Sequence, residues 1–167
     1  IHQMRSALAI SIVGRGQVLR YSDLPEPDQP ALSFAGLPFL KTYIPQSTIR
    51  FVNTAGSVYS DGGFYLGDGL IQVGKHRLYV YQEPAGPSGP SALWDSSART
   101  GPSAGLKVDV LLVRGNPREL PERILEIFPC RTLVLDGSNH ERTIRKFIEK
   151  SQELGIEPYI LKNNYAY

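Results

Sequence analysis

The sequence has very few of the residues from which disulfides and zinc sites are built. Its 167 residues include a single cysteine, Cys130, and three histidines, and no pair of histidines has the H-x-H, H-x-x-x-H or H-E-x-x-H spacing. One cysteine excludes an internal disulfide and any multi-cysteine metal site. Isolated histidines do not supply the clustered ligands that a hydrolytic zinc ion requires. A G-x-S-x-G nucleophile motif is also missing, so the sequence predicts no catalytic residue, no metal and no cofactor.

Long apolar runs and a large net charge are lacking too. No apolar stretch approaches 18 residues, the length at which a membrane-spanning helix would be expected. The formal net charge is only +2, so no strong long-range field marks the chain as a nucleic-acid binder. The chain opens on Ile1 instead of methionine, and we interpret it as a piece of a longer protein.

The chain is expected to form one domain, residues 1–167, with three parts. The first part, residues 1–83, is rich in strand patterns, and residues 7–14 and 17–21 flank a glycine-containing turn that predicts a hairpin. Further strands are expected at residues 48–53, 57–65, 70–73 and 76–82, with Gly-rich turns at residues 61–63 and 67–69. In the second part, residues 84–106, glycine, proline, serine and alanine supply 17 of 23 positions. Such a composition predicts a long loop without a core of its own.

Trp94 is the one large aromatic residue of that loop. Two interpretations are open, because an indole ring either pins a loop to the body of a domain or contacts a partner. In the second case Trp94 is a candidate for stacking against a nucleic-acid base.

The third part, residues 107–167, predicts a βαβαβ unit. Strands are expected at residues 108–113, 132–136 and 158–161. Asn116 and Glu119 have the spacing of a capping box around Pro117, which predicts a helix to about Phe128. Short connections between alternating strands and helices imply parallel strands. The expected fold class is therefore α/β (α+β), a β-rich first half followed by the βαβαβ unit.

A second helix is expected from residue 140 to residue 154. Ser138 and Glu141 have capping-box spacing at its start. The apolar residues of one face are expected in the core, and they are Ile144, Phe147, Ile148 and Leu154.

Two features of this helix are candidates for phosphate binding. Arg142, Arg145 and Lys146 lie within one helical turn and form either a solvated surface or a stripe that faces phosphates. Ser138 lies in a turn at the helix N-terminus, where it either caps the helix or helps backbone N–H groups to bind an anion.

Residues 107–167 resemble the tail of the ComEC-type competence proteins. The segment 108–113 is similar to the V-D-V-L strand of that family. The turn Arg114-Gly115-Asn116-Pro117 stands where the family has a G-H-H-G-S ligand turn, and residues 132–140 resemble the segment that leads into the last helix. The Asp-Gly-Ser turn and the basic helix are closest to Bacteroidetes-type homologues.

The resemblance implies the fold of a shortened metallo-β-lactamase-like domain. It implies a soluble domain on the extracytoplasmic (periplasmic) face of the inner membrane, with two partners: single-stranded DNA, bound weakly, and the membrane-channel portion of the same polypeptide. Neither the family's ligand turn nor its H-x-H-x-D-H motif has a counterpart in this sequence. The expected role is therefore non-catalytic: guiding or gating DNA, or stabilising the channel.

Two other functions remain open. One is a metal-dependent hydrolase or nuclease with atypical ligands drawn from acidic residues and histidines. Those candidates are Asp61, Asp68, Asp109, Asp136, His76 and His140. The other is a protein-interaction module whose surface lies on residues 84–106.

Overall fold

The described part of the chain forms two β-sheets and two α-helices. The computed structural model describes residues 1–2, 7–14, 17–23, 48–53, 58–83 and 105–163. The predicted loop, including Trp94, lies almost entirely outside the described residues. The division into residues 1–83, 84–106 and 107–167 therefore stays a prediction.

The smaller sheet has three strands in the order β1–β2–β3: β1 (Ala9–Gly14), β2 (Gln17–Ser22) and β3 (Thr48–Asn53). The first two strands form the predicted antiparallel hairpin, with Ile10 opposite Tyr21. The third strand lies parallel to β2, a pairing that the alternation of its residues could not reveal.

The larger sheet has seven strands, which follow one another across the sheet in chain order. Antiparallel hairpins join its first four strands, which are β4 (Tyr59–Asp61), β5 (Phe64–Gly67), β6 (Leu70–Val73) and β7 (His76–Gln82). Three parallel strands continue it, namely β8 (Val108–Arg114), β9 (Cys130–Leu135) and β10 (Glu157–Ile160). The predicted Gly-rich turn at residues 61–63 separates β4 from β5, because Gly62 and Gly63 are both at positive φ and reverse the chain there.

Helix α1 (Pro121–Ile127) connects β8 to β9, and helix α2 (Glu141–Glu153) connects β9 to β10. A short 3-10 helix, Leu161–Asn163, follows β10. Mixed sheets with two helices confirm the predicted α+β class and the βαβαβ unit. In the part of the chain that the structure describes, no helix is long and apolar enough to cross a membrane.

The predicted start of the first helix is wrong. Asn116 has a φ of 55°, which is left-handed backbone, and the helix begins five residues later with Pro121 at its first turn. The intervening turn is held from outside, since Glu83 Oε1 accepts the backbone N–H groups of Arg118 and Glu119 at 2.7 and 2.8 Å. A carboxylate from β7's end thus takes the place of the expected capping box.

Two apolar clusters cover the two faces of the larger sheet. Leu112 and Val134 face the smaller sheet and pack with residues such as Leu19. Their neighbours along the strands point the other way and pack against the helices, where Phe147 is 1% exposed. The structure therefore has three layers, with the larger sheet between the smaller sheet and the helices.

The predicted buried face of the last helix is largely confirmed. Ile144 and Phe147 are buried, and Ile148 is partly buried in the same cluster. Leu154 was expected in the core but is 52% exposed. Its position after the last helical residue, just before the positive-φ Gly155, takes it off the apolar stripe.

Candidate functional site

The basic residues of α2 lie at the end of the molecule where β8 and β9 finish. Arg142 and Lys146 are exposed, and they are one helical turn apart on the same face. Together with the turn that precedes α1 they border a groove of about 440 Å³, called here the helix groove. Its lining includes Arg118, Arg142, Thr143, Lys146, Glu119 and Leu120.

Arg118 is a groove residue that the sequence did not single out. It stands 24 residues before Arg142 in the chain, and it reaches the groove because Glu83 fixes the turn before α1. Among the described residues none forms an ion pair with the side chain of Arg118, Arg142 or Lys146. The one acidic lining residue, Glu119, is 3.7 Å from Arg123.

Arg145 does not belong to this group. It is exposed but does not line the groove, and its charge acts on Glu141, whose pKa it helps to lower after the larger effect of Lys162. The three basic residues that the sequence grouped within one turn are therefore divided, with Arg142 and Lys146 on the groove side and Arg145 beside an acidic residue.

Ser138 is not the helix cap that its spacing predicted. The N-cap residue is His140, and no side chain caps the helix. Ser138 instead connects two turns: its Oγ accepts the N–H of Gly115 at 2.8 Å and donates to Asp136 Oδ1. Its own backbone N–H also donates to Asp136, at 3.1 Å. These donors are occupied within the protein, which leaves Ser138 no free N–H to offer an anion.

The same two turns are joined by asparagines. Asn116 donates its backbone N–H to Asn139 Oδ1 at 3.1 Å, donates its side-chain amide to Ser138 at 3.2 Å, and accepts the N–H of His140. Asn139 is 4% exposed and donates to the carbonyl of Val113 at 2.7 Å. These hydrogen bonds connect the turns that follow β8 and β9, next to the residues that line the groove.

A buried ionic cluster lies below these turns. Arg114, the last residue of β8, is 4% exposed, and its guanidinium is 2.9 Å from Asp23 and 3.4 Å from Asp136. Burial raises the pKa of Asp136 above its ordinary value, while the hydrogen bond from Ser138 and the charge of Arg114 act in the opposite direction. The buried guanidinium of Arg114 thus offsets the negative charge of the two carboxylates at this end of the sheet.

The candidate metal ligands are not brought together in the part of the chain that the structure describes. No group of three His, Cys, Asp or Glu residues there lies close enough to hold a metal ion. His76 and Asp109 are 3.8 Å apart at the far end of the sheet, whereas Asp136 is engaged by Arg114 and Ser138. Trp94 lies outside the described residues.

A second concave surface, which sequence reasoning missed, lies at the amino ends of β7, β8 and β9. It is a hollow of about 510 Å³, called here the basic hollow, and four of its lining residues are cationic: Lys75, Arg77, Lys107 and Arg131. Each stands at or next to the start of a predicted strand. Because parallel strands begin at the same edge of a sheet, the predicted βαβαβ unit could have grouped Lys107 with Arg131, whereas the pairing of β7 with β8 that adds Lys75 and Arg77 shows only in the structure.

The fold and these surfaces define an α+β domain that presents basic concave surfaces at both ends of the parallel strands of its larger sheet. Over residues 1–167 the chain matches the family model of the ComEC C-terminal domain. The chain belongs to this family of ComEC-type competence proteins, which are membrane proteins of DNA uptake. No curated protein and no solved structure matches it. The expected likeness to metallo-β-lactamase domains and to Bacteroidetes-type homologues stays a prediction.

Proposed function

We propose that this domain assists DNA uptake without catalysing a reaction, by holding a single DNA strand in the helix groove. It does so on the extracytoplasmic face of the membrane, beside the channel portion of the same polypeptide. The observation that carries the proposal is the set of three exposed cations, Arg118, Arg142 and Lys146, around one groove. In a chain with a net charge of only +2, such a group is a local phosphate-binding surface.

The groove cations are set at a spacing that suits a chain of phosphates. Arg142 and Lys146 are four residues apart on one helix, which separates their Cα atoms by about 6 Å along the axis. Arg118 lines the same groove from the turn that precedes α1. Long flexible side chains from the helix and from this turn can meet neighbouring phosphates of one strand, whatever its sequence.

A non-catalytic role is supported by the buried ionic cluster. The two carboxylates at the carboxyl ends of β2 and β9, Asp23 and Asp136, are paired with Arg114. A carboxylate whose negative charge is offset by a neighbouring guanidinium attracts a metal cation less strongly and is a weaker base. The end of the sheet below the groove is therefore built for stability, and binding takes place on the surface above it.

The test is binding of a fluorescently labelled oligothymidine, followed by anisotropy across a range of salt concentrations. We expect weak binding at low salt that fades as salt rises. In a variant with Arg118→Gln, Arg142→Gln and Lys146→Gln, the slope of log affinity against log salt should fall by about 2, since each phosphate contact on a single strand contributes roughly 0.7.

The chain offers a control with the same change of charge. Arg145, Lys150 and Lys162 lie on the surface beside glutamates and do not line the groove. Their replacement by glutamine, called here the paired-cation control, removes three charges outside the groove. Equal losses in the two triple variants, or no binding by the unmodified protein at about 10⁻⁴ M, the weak limit of non-specific binding, would overturn the proposal. Incubation of the DNA with Zn²⁺, Mn²⁺ or Mg²⁺ should give no cleavage, and cleavage that the Asp136→Asn variant abolishes would favour the hydrolase.

A further inference from the structure

Among the described residues, most cationic side chains without a carboxylate partner lie at the two ends of the larger sheet. Arg114, Arg123, Lys150 and Lys162 each contact a carboxylate. Those without a carboxylate or hydrogen-bond partner among the described residues include the three of the helix groove and three at the opposite end of the sheet. The latter are Lys75, Lys107 and Arg131, and all three line the basic hollow.

The hollow is formed by strand pairing. Val108 lies opposite Cys130 in the parallel pair of β8 and β9, so the preceding Lys107 and the following Arg131 come to the same edge. Lys75 and Arg77 flank the first residue of β7, the other neighbour of β8. Four cations from three strands thus surround one concavity of about 510 Å³.

One carboxylate lies in this group, and it is already engaged. Asp109 Oδ2 accepts the backbone N–H of Arg77 at 2.8 Å and lies 3.8 Å from His76 Nδ1. It offsets one of the four charges, which leaves an excess of about three before His76 is counted. Like charges held at one place repel one another, and an anion with several negative groups relieves that repulsion.

We propose that the basic hollow binds the phosphodiester backbone of a nucleic-acid strand, as a second contact independent of the helix groove. The proposal shares with the proposed function the premise that this domain meets DNA, and it adds a site at the other end of the sheet. Phosphates fit the hollow because four cations outnumber its one carboxylate and its other lining residues, Val108, Pro129 and Cys130, carry no charge.

The lining favours contact with the backbone alone. It contains no aromatic side chain, so bases have no stacking surface there. It also lacks the large exposed apolar residues with which peripheral domains insert into lipid: among the described residues these are Val13, Val58, Leu120 and Leu154, and none lines the hollow. A concave surface with an excess of positive charge suits a strand better than a flat bilayer.

Cys130 does not turn the hollow into a reactive site. Burial raises the pKa of its thiol to about 11, so the thiol stays protonated at neutral pH although cations surround it. The hollow therefore binds its ligand without covalent chemistry.

The test compares four proteins: the unmodified chain, the groove variant described above, the paired-cation control, and a hollow variant with Lys75→Gln, Lys107→Gln and Arg131→Gln. Arg77 is kept, because its side chain bonds Gln72 across β6 and β7. Three probes are used: oligothymidine, an abasic strand of the same length, and vesicles of phosphatidylglycerol and phosphatidylcholine. Circular dichroism confirms that each variant is folded.

For the hollow variant, we expect the slope of log affinity against log salt to fall by about 2, since each phosphate contact contributes roughly 0.7. The fall should be the same on oligothymidine and on the abasic strand. If the hollow variant matches the paired-cation control while the groove variant binds more weakly, the hollow proposal is wrong and the proposed function stands. If only the hollow variant binds DNA more weakly than the control, the hollow proposal is supported and the helix groove is excluded as a DNA site. If the hollow variant loses binding to the vesicles and not to DNA, the hollow is a membrane contact and the proposal is wrong. If the unmodified chain does not bind DNA, both proposals are overturned.

Discussion

The buried ionic cluster gives the sharpest test of how this end of the sheet is stabilised. Arg114 and Asp136 are each 4% exposed, and the Arg114→Met variant would leave Asp136 buried without its counter-charge. Removing one partner of a buried ion pair costs about 3–5 kcal/mol of the free energy of unfolding. For a domain of this size that corresponds to a decrease in Tm of about 6–20 °C.

A double variant distinguishes the loss of the pair from the loss of packing. When Arg114→Met is combined with Asp136→Asn, no uncompensated charge remains at position 136, and only the solvent-accessible Asp23 loses its partner. The asparagine still has an oxygen for the hydrogen bonds from Ser138. We expect the double variant to be more stable than the sum of the two single effects implies, with a coupling of about 1–3 kcal/mol. Urea unfolding followed by circular dichroism gives all four free energies of unfolding.

The effect should depend on pH with a definite sign. Without Arg114 the pKa of the buried Asp136 carboxyl rises further, because desolvation, which already raises it, is then less opposed. A carboxyl group whose pKa is raised by folding stabilises the folded state below its unfolded pKa, and this contribution is lost as pH rises through the folded pKa. The penalty of Arg114→Met should therefore be smaller at pH 4 than at pH 7. A penalty below about 1 kcal/mol at pH 7, far under the cost of an unpaired buried charge, or strict additivity in the double variant, would refute this account.

Four further outcomes can be measured. Phe147→Ala should cost about 3–5 kcal/mol of the free energy of unfolding, because the ring is fully buried. Ser138→Ala should cost about 1 kcal/mol through its lost hydrogen bonds. If urea unfolding shows Ser138→Ala to be the more destabilising of the two, the placement of α2 is contradicted. Asn116→Ala should be less stable than Asn116→Gly, because only alanine adds the strain of a positive φ to the lost side-chain bonds; equal stabilities would show that the strain is negligible. Burial, aided by Glu83, raises the pKa of Tyr81 to about 12, so the contribution of this hydroxyl to stability is complete below pH 10 and lost as pH rises through 12. The Tyr81→Phe variant should therefore lose less stability than the unmodified protein at alkaline pH. An unchanged alkaline decline would exclude Tyr81 as its cause. Cys130, with a thiol pKa of about 11 instead of 9.0, should react with iodoacetamide at pH 8 about 100-fold more slowly than an unstructured cysteine, and a rate equal to that of a peptide would show an exposed thiolate.

The sequence was most informative where burial is continuous. The apolar runs at residues 108–113 and 132–136 predicted two central parallel strands, since a strand covered on both faces needs no polar alternation. The stripe containing Ile144 and Phe147 predicted α2 for a similar reason. These signals are local, because the residues that carry them are also the residues that the core requires.

Signals that depend on partners distant in the chain were misjudged. Asn116 and Ser138 both have the spacing of helix caps, yet each is bound to the neighbouring turn, 22 or more residues away. Arg118 and Arg142 become neighbours only because Glu83 holds the turn before α1. The basic hollow brings together Lys75 and Arg131, 56 positions apart, through the order of the strands. Side-chain spacing within one segment could not distinguish these cases.

The chain order of the larger sheet has a consequence for how the domain is assembled. From β4 to β10 each strand pairs with the strand before it, so a nascent chain can add each strand to an edge that already exists. Contacts that are close in sequence form quickly, and folding can keep pace with the delivery of the chain from its amino-terminal side. The last edge to form contains Pro158, which has no N–H to donate and so discourages pairing with another chain. Vectorial growth of the sheet and protection of its final edge thus follow from the same topology.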